Sequence, residues 1–514
     1  MVSGVCLIAC ASAIQAQTEY DITPIMTPEL NGTARFVGMG GAMSALGGDI
    51  SVISTNPAGL GIFRKNDVSM SFGFNNTASD ATFNGTSTNE DRTRASFDQI
   101  GFVYSNKIGN QTSLRYVNFG FNYHKSKNLN KLLSSVGSLN GFSQTYQLVT
   151  AMEYQMKLNN LDSSVFGDIL DSSNPYAAYW NQLPVLSTMG VRTGLVDLND
   201  DRLIGRDGSR SNFYSEETGG INEYDFSMAF NIEDRFYLGA TIGAYDIDYK
   251  RYTSYTENLL DDNGKANGDY TLNNAYRLEG TGFDVKLGAI LRPIEDSPFR
   301  VGLAIHTPTW YDLSEYYNAT LSSDILAYDD AYSQNLNDYL GADYLSYDYR
   351  LVTPWKFNVS MGTTLEGLIA LDAEYEYQDY STGKFKDLDG YDLDGTYDIK
   401  DFLKGVHTFR AGMEARLSPE ISFRAGYNYT SSAFEKDAYA SLPVYGTSTQ
   451  FCNSQSKNTV TLGLGYRGSV IYADVAYKYD TYKSDFYAFD DIDLPATKVD
   501  NSRHQLLFTL GARF

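Results

Sequence analysis

Apolar and polar residues alternate along the end of the chain, from residue 504 to residue 514. One face carries Leu506, Phe508, Leu510, Ala512 and Phe514. The other carries Gln505, Leu507, Thr509, Gly511 and Arg513, with Leu507 the exception to its polarity. Because successive side chains of a strand point to opposite faces, this alternation predicts a strand with one apolar and one polar surface.

The same alternation recurs along the chain and predicts fourteen strands. They cover residues 68–76, 95–105, 115–124, 222–232, 235–249, 276–291, 299–308, 351–363, 366–380, 407–417, 420–430, 457–467, 469–480 and 503–514. Most reach the roughly 9–11 residues that a tilted strand needs to cross a bilayer. An even number of strands is usual for bacterial barrels. We therefore predict an all-β fold, a membrane-spanning antiparallel β-barrel of 14 strands.

The connections between the predicted strands alternate in length. The long ones are 77–94, 125–221, 250–275, 309–350, 381–406, 431–456 and 481–502, and the short ones include 233–234, 364–365, 418–419 and 468. Outer-membrane barrels have short periplasmic turns and longer extracellular loops. The pattern predicts a bacterial outer-membrane protein with both termini in the periplasm. It also predicts a large extracellular loop over 125–221, with short helices near 148–165.

Charged residues fall on the polar faces of the predicted strands. Arg410, Glu414 and Arg416 share the inward face of one strand, and Asp474 and Lys478 share that of another. An Arg or Lys on the lipid face at mid-depth would cost about 2–4 kcal/mol. The pattern therefore predicts a hydrated lumen in which acids and bases are paired.

Composition agrees with a barrel and excludes some functions. Mean hydropathy is -0.33, and no segment beyond the N-terminus holds the roughly 18 uninterrupted apolar residues of a transmembrane helix. The chain has 41 Tyr and 28 Phe, which interfacial aromatic girdles would use. The net charge of -23 argues against a nucleic-acid partner, which needs a basic surface.

The first residues have the pattern of a secretory signal. Residues 1–16 are mostly apolar and small and precede a polar stretch, which predicts a signal peptide over 1–16. The basic start of such a signal is missing, so the true start codon is expected upstream. Cys10 follows a lipobox-like run, which leaves lipidation of Cys10 open. After cleavage only Cys452 remains, and no internal disulfide is expected.

Residues 17–66 lack strand periodicity and are rich in glycine. A lumen bounded by about fourteen strands is too wide for wall side chains alone to fill. We therefore predict an N-terminal hatch over 17–66, followed by a barrel over 67–514. The pair Gly38 and Gly40 is not a dinucleotide-binding fingerprint, because its third glycine would fall at Met43 and no strand precedes it.

This N-terminal region resembles the FadL/TodX family of outer-membrane transporters for long-chain fatty acids and other hydrophobic compounds. The resemblance rests on the runs Gly40-Gly-Ala-Met-Ser-Ala-Leu-Gly-Gly-Asp49 and Ser54-Thr-Asn-Pro-Ala-Gly-Leu60. The lead-in Leu30-Asn-Gly-Thr-Ala-Arg-Phe-Val-Gly38 is similar to the Bacteroidetes branch, where the label "hemin receptor" is also used. In that family a hatch containing an Asn-Pro-Ala motif plugs a fourteen-stranded barrel.

The resemblance implies a gated channel for hydrophobic small molecules. Asn56, Pro57, Ala58 and Gly59 would form the gate, without a cofactor or a metal. A terminal aromatic residue, here Phe514, would be read by the barrel-assembly machinery, and outer-membrane lipid and lipopolysaccharide would surround the wall. The family's lateral exit uses a kinked third strand. Here the third predicted strand offers only Asn118 and Gly120 for a kink, and the largest loop follows that strand.

Three other classes of function compete with transport: an enzyme, a haem receptor and an adhesin or structural barrel. No nucleophile-elbow, zincin or Cys-rich metal motif is present, so we expect no enzyme. His124 and His306 point inward in the predicted register, which leaves a haem-binding receptor open. A third class is an adhesin or structural barrel with calcium-binding acidic loops. Its candidates, 197–201 and 261–264, lack the full spacing of a calcium loop.

Overall fold

The computed structural model describes residues 19–27, 29–174, 176, 179, 182–326, 332–336, 345–436, 438, 446–491 and 493–514. The predicted signal peptide over 1–16, with Cys10, lies outside the described residues. Within them the fold is almost entirely β, and one large sheet contains nearly every strand.

The strands carry the following bounds. They are β1 (Asp67–Phe83), β2 (Thr86–Lys107), β3 (Leu114–Asn128), β4 (Lys131–Gly141), β5 (Asp197–Asn199), β6 (Arg202–Ile204), β7 (Gly208–Ile232), β8 (Phe236–Leu260), β9 (Ala266–Leu291), β10 (Arg300–His306), β11 (Trp310–Asp324), β12 (Tyr332–Asn335), β13 (Leu345–Val352), β14 (Lys356–Leu365), β15 (Ile369–Asp379), β16 (Lys384–Lys386), β17 (Gly405–Arg416), β18 (Ile421–Thr430), β19 (Phe451–Arg467), β20 (Ile471–Tyr487) and β21 (Thr497–Arg513).

Fourteen of these strands form a closed antiparallel ring. The ring order is β1, β2, β3, β7, β8, β9, β10, β14, β15, β17, β18, β19, β20 and β21, and β21 pairs with β1. Asp67 opposes Arg513 at one end of this seam and Thr82 opposes Lys498 at the other. The predicted 14-stranded barrel is therefore confirmed.

The lipid-facing surface is a band of exposed apolar side chains that alternate with buried polar ones. On β8, Leu238 and Ile242 are exposed, whereas Thr241 on the opposite face is buried. Neighbouring strands repeat the pattern with Phe226, Leu287 and Leu303. Water would not favour such a continuous apolar surface, so this band marks the part of the wall that crosses the membrane.

The strands extend further than predicted at the end of the barrel that carries the long loops. β7, β8 and β9 run for 25, 25 and 26 residues. The predicted loop 125–221 is partly strand, because β3 ends at Asn128, β4 follows, and β7 already begins at Gly208. Above the lipid band both faces of a strand are polar or mixed. The alternation that identified the strands within the membrane fades there.

Short helices complete the described chain. They are α1 (Glu19–Met26), α2 (Ala34–Gly38), α3 (Gln144–Leu158), α4 (Ser164–Asp171), α5 (Val185–Arg192) and α6 (Gly395–Phe402), with 3-10 turns over Ile50–Ser54, Pro57–Ile62 and Tyr380–Thr382. The predicted helical stretch 148–165 corresponds to α3 and the start of α4, and Leu148 and Met152 are buried in a core. None of the described helices is long and apolar enough to cross a membrane.

The described residues of 142–207, which we call the cap, pack on the long-loop end of the barrel. Their apolar side chains join those of the extended strands in one large cluster. Helix α1 belongs to the same cluster, since Tyr20 stacks on Phe434 and meets Phe451 edge-on. At the opposite end, the backbone N–H of Phe514 donates to the carbonyl of Asn66 at 3.0 Å.

Candidate functional site

Residues 29–66, which we call the N-terminal segment, hydrogen-bond to inward-facing side chains of the wall. The backbone N–H groups of Met43 and Ser44 donate to Glu374 at 2.7 and 2.6 Å. Those of Ala45 and Leu46 donate to Asp372 at 3.2 and 2.9 Å. Two carboxylates of β15 therefore hold one turn of the segment. Glu374 also has side-chain partners, since Arg410 lies 3.5 Å from it and Asn358 donates to it at 3.2 Å.

Other strands hold the same segment at further points. Asn118 on β3 donates to the carbonyls of Leu60 and Phe63, at 2.8 and 3.0 Å. Thr509 on β21 accepts from the N–H of Ala34 at 2.7 Å. The attachments thus come from widely separated parts of the ring. The segment is positioned by polar contacts together with a small apolar core around α2.

Asn56 is the most fully engaged of the predicted gate residues. Its Oδ1 accepts from the N–H of Ala58 at 3.1 Å, which caps the 3-10 turn that begins at Pro57. Its Nδ2 donates to the carbonyl of Ser44 at 3.1 Å and to that of Ala289 on β9 at 3.4 Å. Asn56 therefore connects two parts of the N-terminal segment to the wall.

Glycines of the wall make room for these residues. A Cβ at Gly288 would lie 2.1 Å from Oδ1 of Asn56, and one at Gly239 would lie 2.3 Å from the carbonyl carbon of Pro57. Gly59 faces the same restriction inside the segment, where its Cβ would lie 2.5 Å from Val52. These wall glycines could not be recognised from the sequence. A glycine on a lumen face gives no hint of what approaches it from far along the chain.

A cavity that we call the upper cavity lies between α1 and the extended strands, and it encloses about 1330 Å³ including space open to solvent. Its apolar lining includes Tyr20, Tyr249, Tyr380, Val406 and Phe434. Its basic lining comprises Lys127, Lys131, Arg251, Lys457 and Arg503, and its acidic lining Glu29, Glu217 and Asp480. The cavity is amphipathic, with an excess of positive charge.

Glu29 sits at the base of the upper cavity. Arg503 donates to Glu29 at 2.5 Å, and Nζ of Lys478 lies 3.6 Å from it. Burial opposes ionisation of Glu29, but the nearby Arg503 and Lys478 outweigh it and hold the pKa of Glu29 well below its usual range. Lys127 donates to the carbonyl of Thr27 at 2.8 Å. The start of the N-terminal segment is therefore fixed by charges from the wall.

A second cavity, the lower cavity, continues from the upper one. The two share Thr27, Glu29, Lys127, Thr430 and Lys457 in their linings. The lower cavity encloses about 1120 Å³. Its walls are polar and include His124, Glu223, Asp284, Lys286, His306, Lys356, Glu376 and Arg410. The lining therefore changes from amphipathic in the upper cavity to mainly polar in the lower cavity.

Lys286 on β9 is the centre of a buried charge group in the lower cavity. Its Nζ donates to Glu223, donates to Asp225 at 2.6 Å, and lies 3.7 Å from Asp284. All four side chains are at most 6% exposed. His124, Glu223 and Asp225 have the spacing of metal ligands, but the ammonium of Lys286 bonds to both of these carboxylates.

The two histidines considered for haem both line the lower cavity, and both are buried. Nε2 of His306 lies 3.0 Å from the carbonyl oxygen of Thr55, and Nε2 of His124 lies 3.4 Å from Glu223. Haem ligation through Nε2 would have to break these contacts. His407 and His504 are on the outer surface, where they hydrogen-bond to Tyr375 and Tyr477.

The two acidic candidates for calcium form turns. In 261–265, Asp261 accepts from the N–H groups of Asn263 and Lys265, at 2.9 and 2.8 Å. In 197–204, a short hairpin of β5 and β6 turns at Asp200 and Asp201, both with positive φ. The presence of acidic residues in both segments is therefore accounted for by their role in forming these turns.

Glu257 on β8 joins the cap to the barrel, outside the lipid band. Its carboxyl group accepts from the N–H of Gln144 at 3.2 Å and from the hydroxyls of Tyr255 and Tyr270 at 2.9 Å. Burial raises the pKa of Glu257 to about 7, although these hydrogen bonds act in the opposite direction. The first turn of α3 is therefore hydrogen-bonded to a carboxyl group that titrates near neutral pH.

We expect the attachment of the cap to weaken as pH rises. Because the folded-state pKa is raised, the stabilising contribution is complete below the unfolded value of 4.5 and is lost through about 7. The loss is at most about 3 kcal/mol. Hydrogen exchange of α3 at pH 5.5 and 8.5 measures it. Glu257→Gln should abolish the pH dependence, and the exposed Glu153→Gln should retain it. An equal slope in Glu257→Gln and the unmodified protein would contradict this role.

Solved structures with the same architecture are known. The chain resembles a FadL homologue from Pseudomonas aeruginosa at a TM-score of 0.53 and 12% identity, over 95% of this chain and 99% of that one. It resembles a deletion mutant of the TodX monoaromatic hydrocarbon channel at 0.50 and 13%, over 94% and 99%. This chain has the FadL-like fold. No family model matches it, and no curated protein matches it.

The FadL-like fold agrees with the resemblance found in the N-terminal region. The Pseudomonas putida toluene transporter TodX is also similar, at a TM-score of 0.49 and 13% identity, over 95% of this chain and all of that one. The fold assignment depends on the FadL homologue and the TodX deletion mutant, and at 12–13% identity they establish the fold alone. The function of this FadL-like chain has to be argued from its own cavities.

Proposed function

We propose that this protein is an outer-membrane channel that takes up hydrophobic small molecules, with long-chain fatty acids as the best-fitting class. The observation that carries the proposal is the upper cavity. Its aromatic and aliphatic side suits an acyl chain, and its basic side suits a carboxylate. The long loops would face outward and the Phe514 end the periplasm. The barrel-assembly machinery and lipopolysaccharide would be its partners in the membrane.

In this proposal the N-terminal segment is the hatch. It lies along the path from the lower cavity toward the short-turn end, where the wall strand β1 begins. Asn56, Pro57, Ala58 and Gly59 form its gate, because Asn56 links the turn at Ser44 to the wall at Ala289. A ligand that competes for such polar attachments would move the segment without an external energy source. A few hydrogen bonds of about 1 kcal/mol each are within reach of binding energy.

Binding of a matched ligand pair tests the proposed function. The variant Lys127→Gln/Lys457→Gln removes two basic groups from the upper cavity and keeps its apolar wall. We expect oleate to bind about tenfold more weakly, because a charge-assisted hydrogen bond contributes roughly 1.5–3 kcal/mol. Methyl oleate, which has no carboxylate, should bind unchanged. Isothermal titration of the detergent-solubilised barrel measures both affinities.

The control variant is Lys483→Gln, whose side chain is 71% exposed on the outer surface. It should bind both ligands as the unmodified protein does. Failure of the unmodified barrel to bind either ligand would refute the transport proposal. Equal weakening for oleate and methyl oleate would show that the basic residues do not recognise a carboxylate.

A further inference from the structure

We propose that the short-turn end of the lumen carries an oxyanion-binding pocket built by Arg416 and Arg467. The pocket lies where the β17–β18 and β19–β20 hairpins turn, and it encloses about 380 Å³. Its lining also includes Glu414, Arg424, Tyr472 and Asp474. It is separate from both cavities described above, because it shares no lining residue with either.

The acids of this pocket already have basic partners. Arg35 of the N-terminal segment pairs with Glu414 at 2.8 Å, and Arg424 pairs with Glu414 and with Asp474, each at 2.6 Å. Arg424 and Asp474 are at most 5% exposed, so this pair is a buried part of the wall. Both carboxylates are therefore engaged directly by Arg35 and Arg424, and their short contacts are with these two side chains.

Arg416 and Arg467 are the two cations left over. Within the described chain neither side chain has an ion pair or a side-chain hydrogen bond, and both residues are exposed. Arg416 follows Glu414 by two positions on β17, and Arg467 follows Gly465 by two on β19. Both therefore belong to the lumen-facing set of their strands. Two accessible guanidinium groups thus line one pocket, and neither has an ion-pair partner in the described chain.

The wall is shaped for this arrangement at Gly465. A Cβ there would lie 2.2 Å from Oδ1 of Asp474 and 2.6 Å from Nη1 of Arg424. Glycine is needed for the Arg424–Asp474 pair to close across β19. With that pair closed, Arg424 is bound to Asp474, and Arg416 and Arg467 remain as the arginines without an ion pair in the described lining.

The ligand that fits is an oxyanion, either a carboxylate or a phosphate group. A guanidinium presents a planar fork of N–H donors that matches two oxygens of such a group. If the proposed uptake function holds, the carboxylate of a transported acid would meet this pocket after passing the N-terminal segment. A phosphate group reaching the pocket from the short-turn side has the same chemistry and is the other source.

Titration with inorganic phosphate tests the pocket. We expect the folded barrel in low-salt detergent solution to bind phosphate, with binding at least about tenfold weaker in Arg416→Gln/Arg467→Gln. The control Arg350→Gln removes an exposed arginine from β13 and should change nothing. Retained heat-modifiable mobility on gels shows that each variant is folded. No phosphate binding by the unmodified barrel, or equal binding by the double variant, would overturn the proposal.

Competition by octanoate identifies the source of the oxyanion. Displacement of phosphate by octanoate supports the carboxylate of a transported acid, and phosphate that octanoate does not displace supports a phosphate group. Oleate binding to the upper cavity is measured in the same samples. If the unmodified barrel binds oleate but not phosphate, the oxyanion pocket fails and the uptake proposal stands. If it binds phosphate but not oleate, the uptake proposal fails and the oxyanion pocket stands.

Discussion

Replacing Lys286 with methionine is expected to lower the free energy of unfolding of the barrel by about 3–5 kcal/mol. The ammonium of Lys286 is shared by Glu223 and Asp225 and faces Asp284. Without it, three carboxylates that are at most 6% exposed face one another with no cation between them. Like charges at this spacing repel each other strongly where water does not screen them. Loss of the cation is therefore worse than loss of the whole group.

Two further variants make this expectation specific. Lys498→Met removes a lysine whose side chain is 68% exposed and which pairs with Asp485 at 2.9 Å. It should cost less than about 1 kcal/mol. The triple variant Glu223→Gln/Asp225→Asn/Lys286→Met removes the ammonium with the two carboxylates that bind it, leaves only Asp284 of the group, and should recover most of the stability. Urea titrations of the detergent-folded barrel rank the three variants and the unmodified protein by their free energy of unfolding. Equal midpoints for Lys286→Met and Lys498→Met would contradict the role of Lys286.

The barrel itself could be predicted from sequence because lipid imposes a strict rule on each strand. In 420–430 the exposed and buried faces fall where the alternation places them, with Tyr427 outside and Arg424 inside. His124 and His306 were likewise predicted to point inward, and both are buried. That they line one cavity could not be predicted. They come from β3 and β10, and their proximity depends on the whole ring.

The pairing of lumenal charges was predictable only in part. Arg410 does pair with Glu376, at 3.2 Å, as inward acids and bases on neighbouring strands should. Asp372 and Glu374 lie on the same face, yet they bind backbone N–H groups of the N-terminal segment. Strand periodicity says which way a carboxylate points. It does not say what occupies the space in front of it, because that material comes from a segment with no periodicity.

The Asn-Pro-Ala run shows what the family resemblance could predict and what it could not. It indicated which residues to examine, whereas the contacts of Asn56 with Ser44 and Ala289 became visible only in three dimensions. Gly288 and Gly239 were not singled out, although their missing side chains admit Asn56 and Pro57 to the wall. These glycines and the segment residues that they admit are about 180 to 230 residues apart in the chain, so neither can be recognised from the other by local pattern.

Substituting leucine at Gly288 is expected to displace the N-terminal segment and raise ion conductance at least about tenfold, because a barrel of this size without its filling leaves an aqueous channel. The new Cβ would lie 2.1 Å from Oδ1 of Asn56 and 2.9 Å from Cδ of Pro57. The rest of the leucine would need space that these residues occupy. The strand is fixed by its neighbours on both sides, and the segment is held by separate polar contacts. The segment should therefore yield first.

Single-channel recording in planar bilayers measures this effect. The control is Leu287→Phe, one residue away on the lipid face, where the side chain is 51% exposed and no segment residue is near. It should leave conductance unchanged. Asn56→Ala removes the anchor without adding bulk, so it should give brief openings in place of a lasting one. A folded Gly288→Leu barrel with unchanged conductance would show that the segment around Asn56 does not seal the lumen. The hatch proposal would then fail, even if the upper cavity still binds oleate.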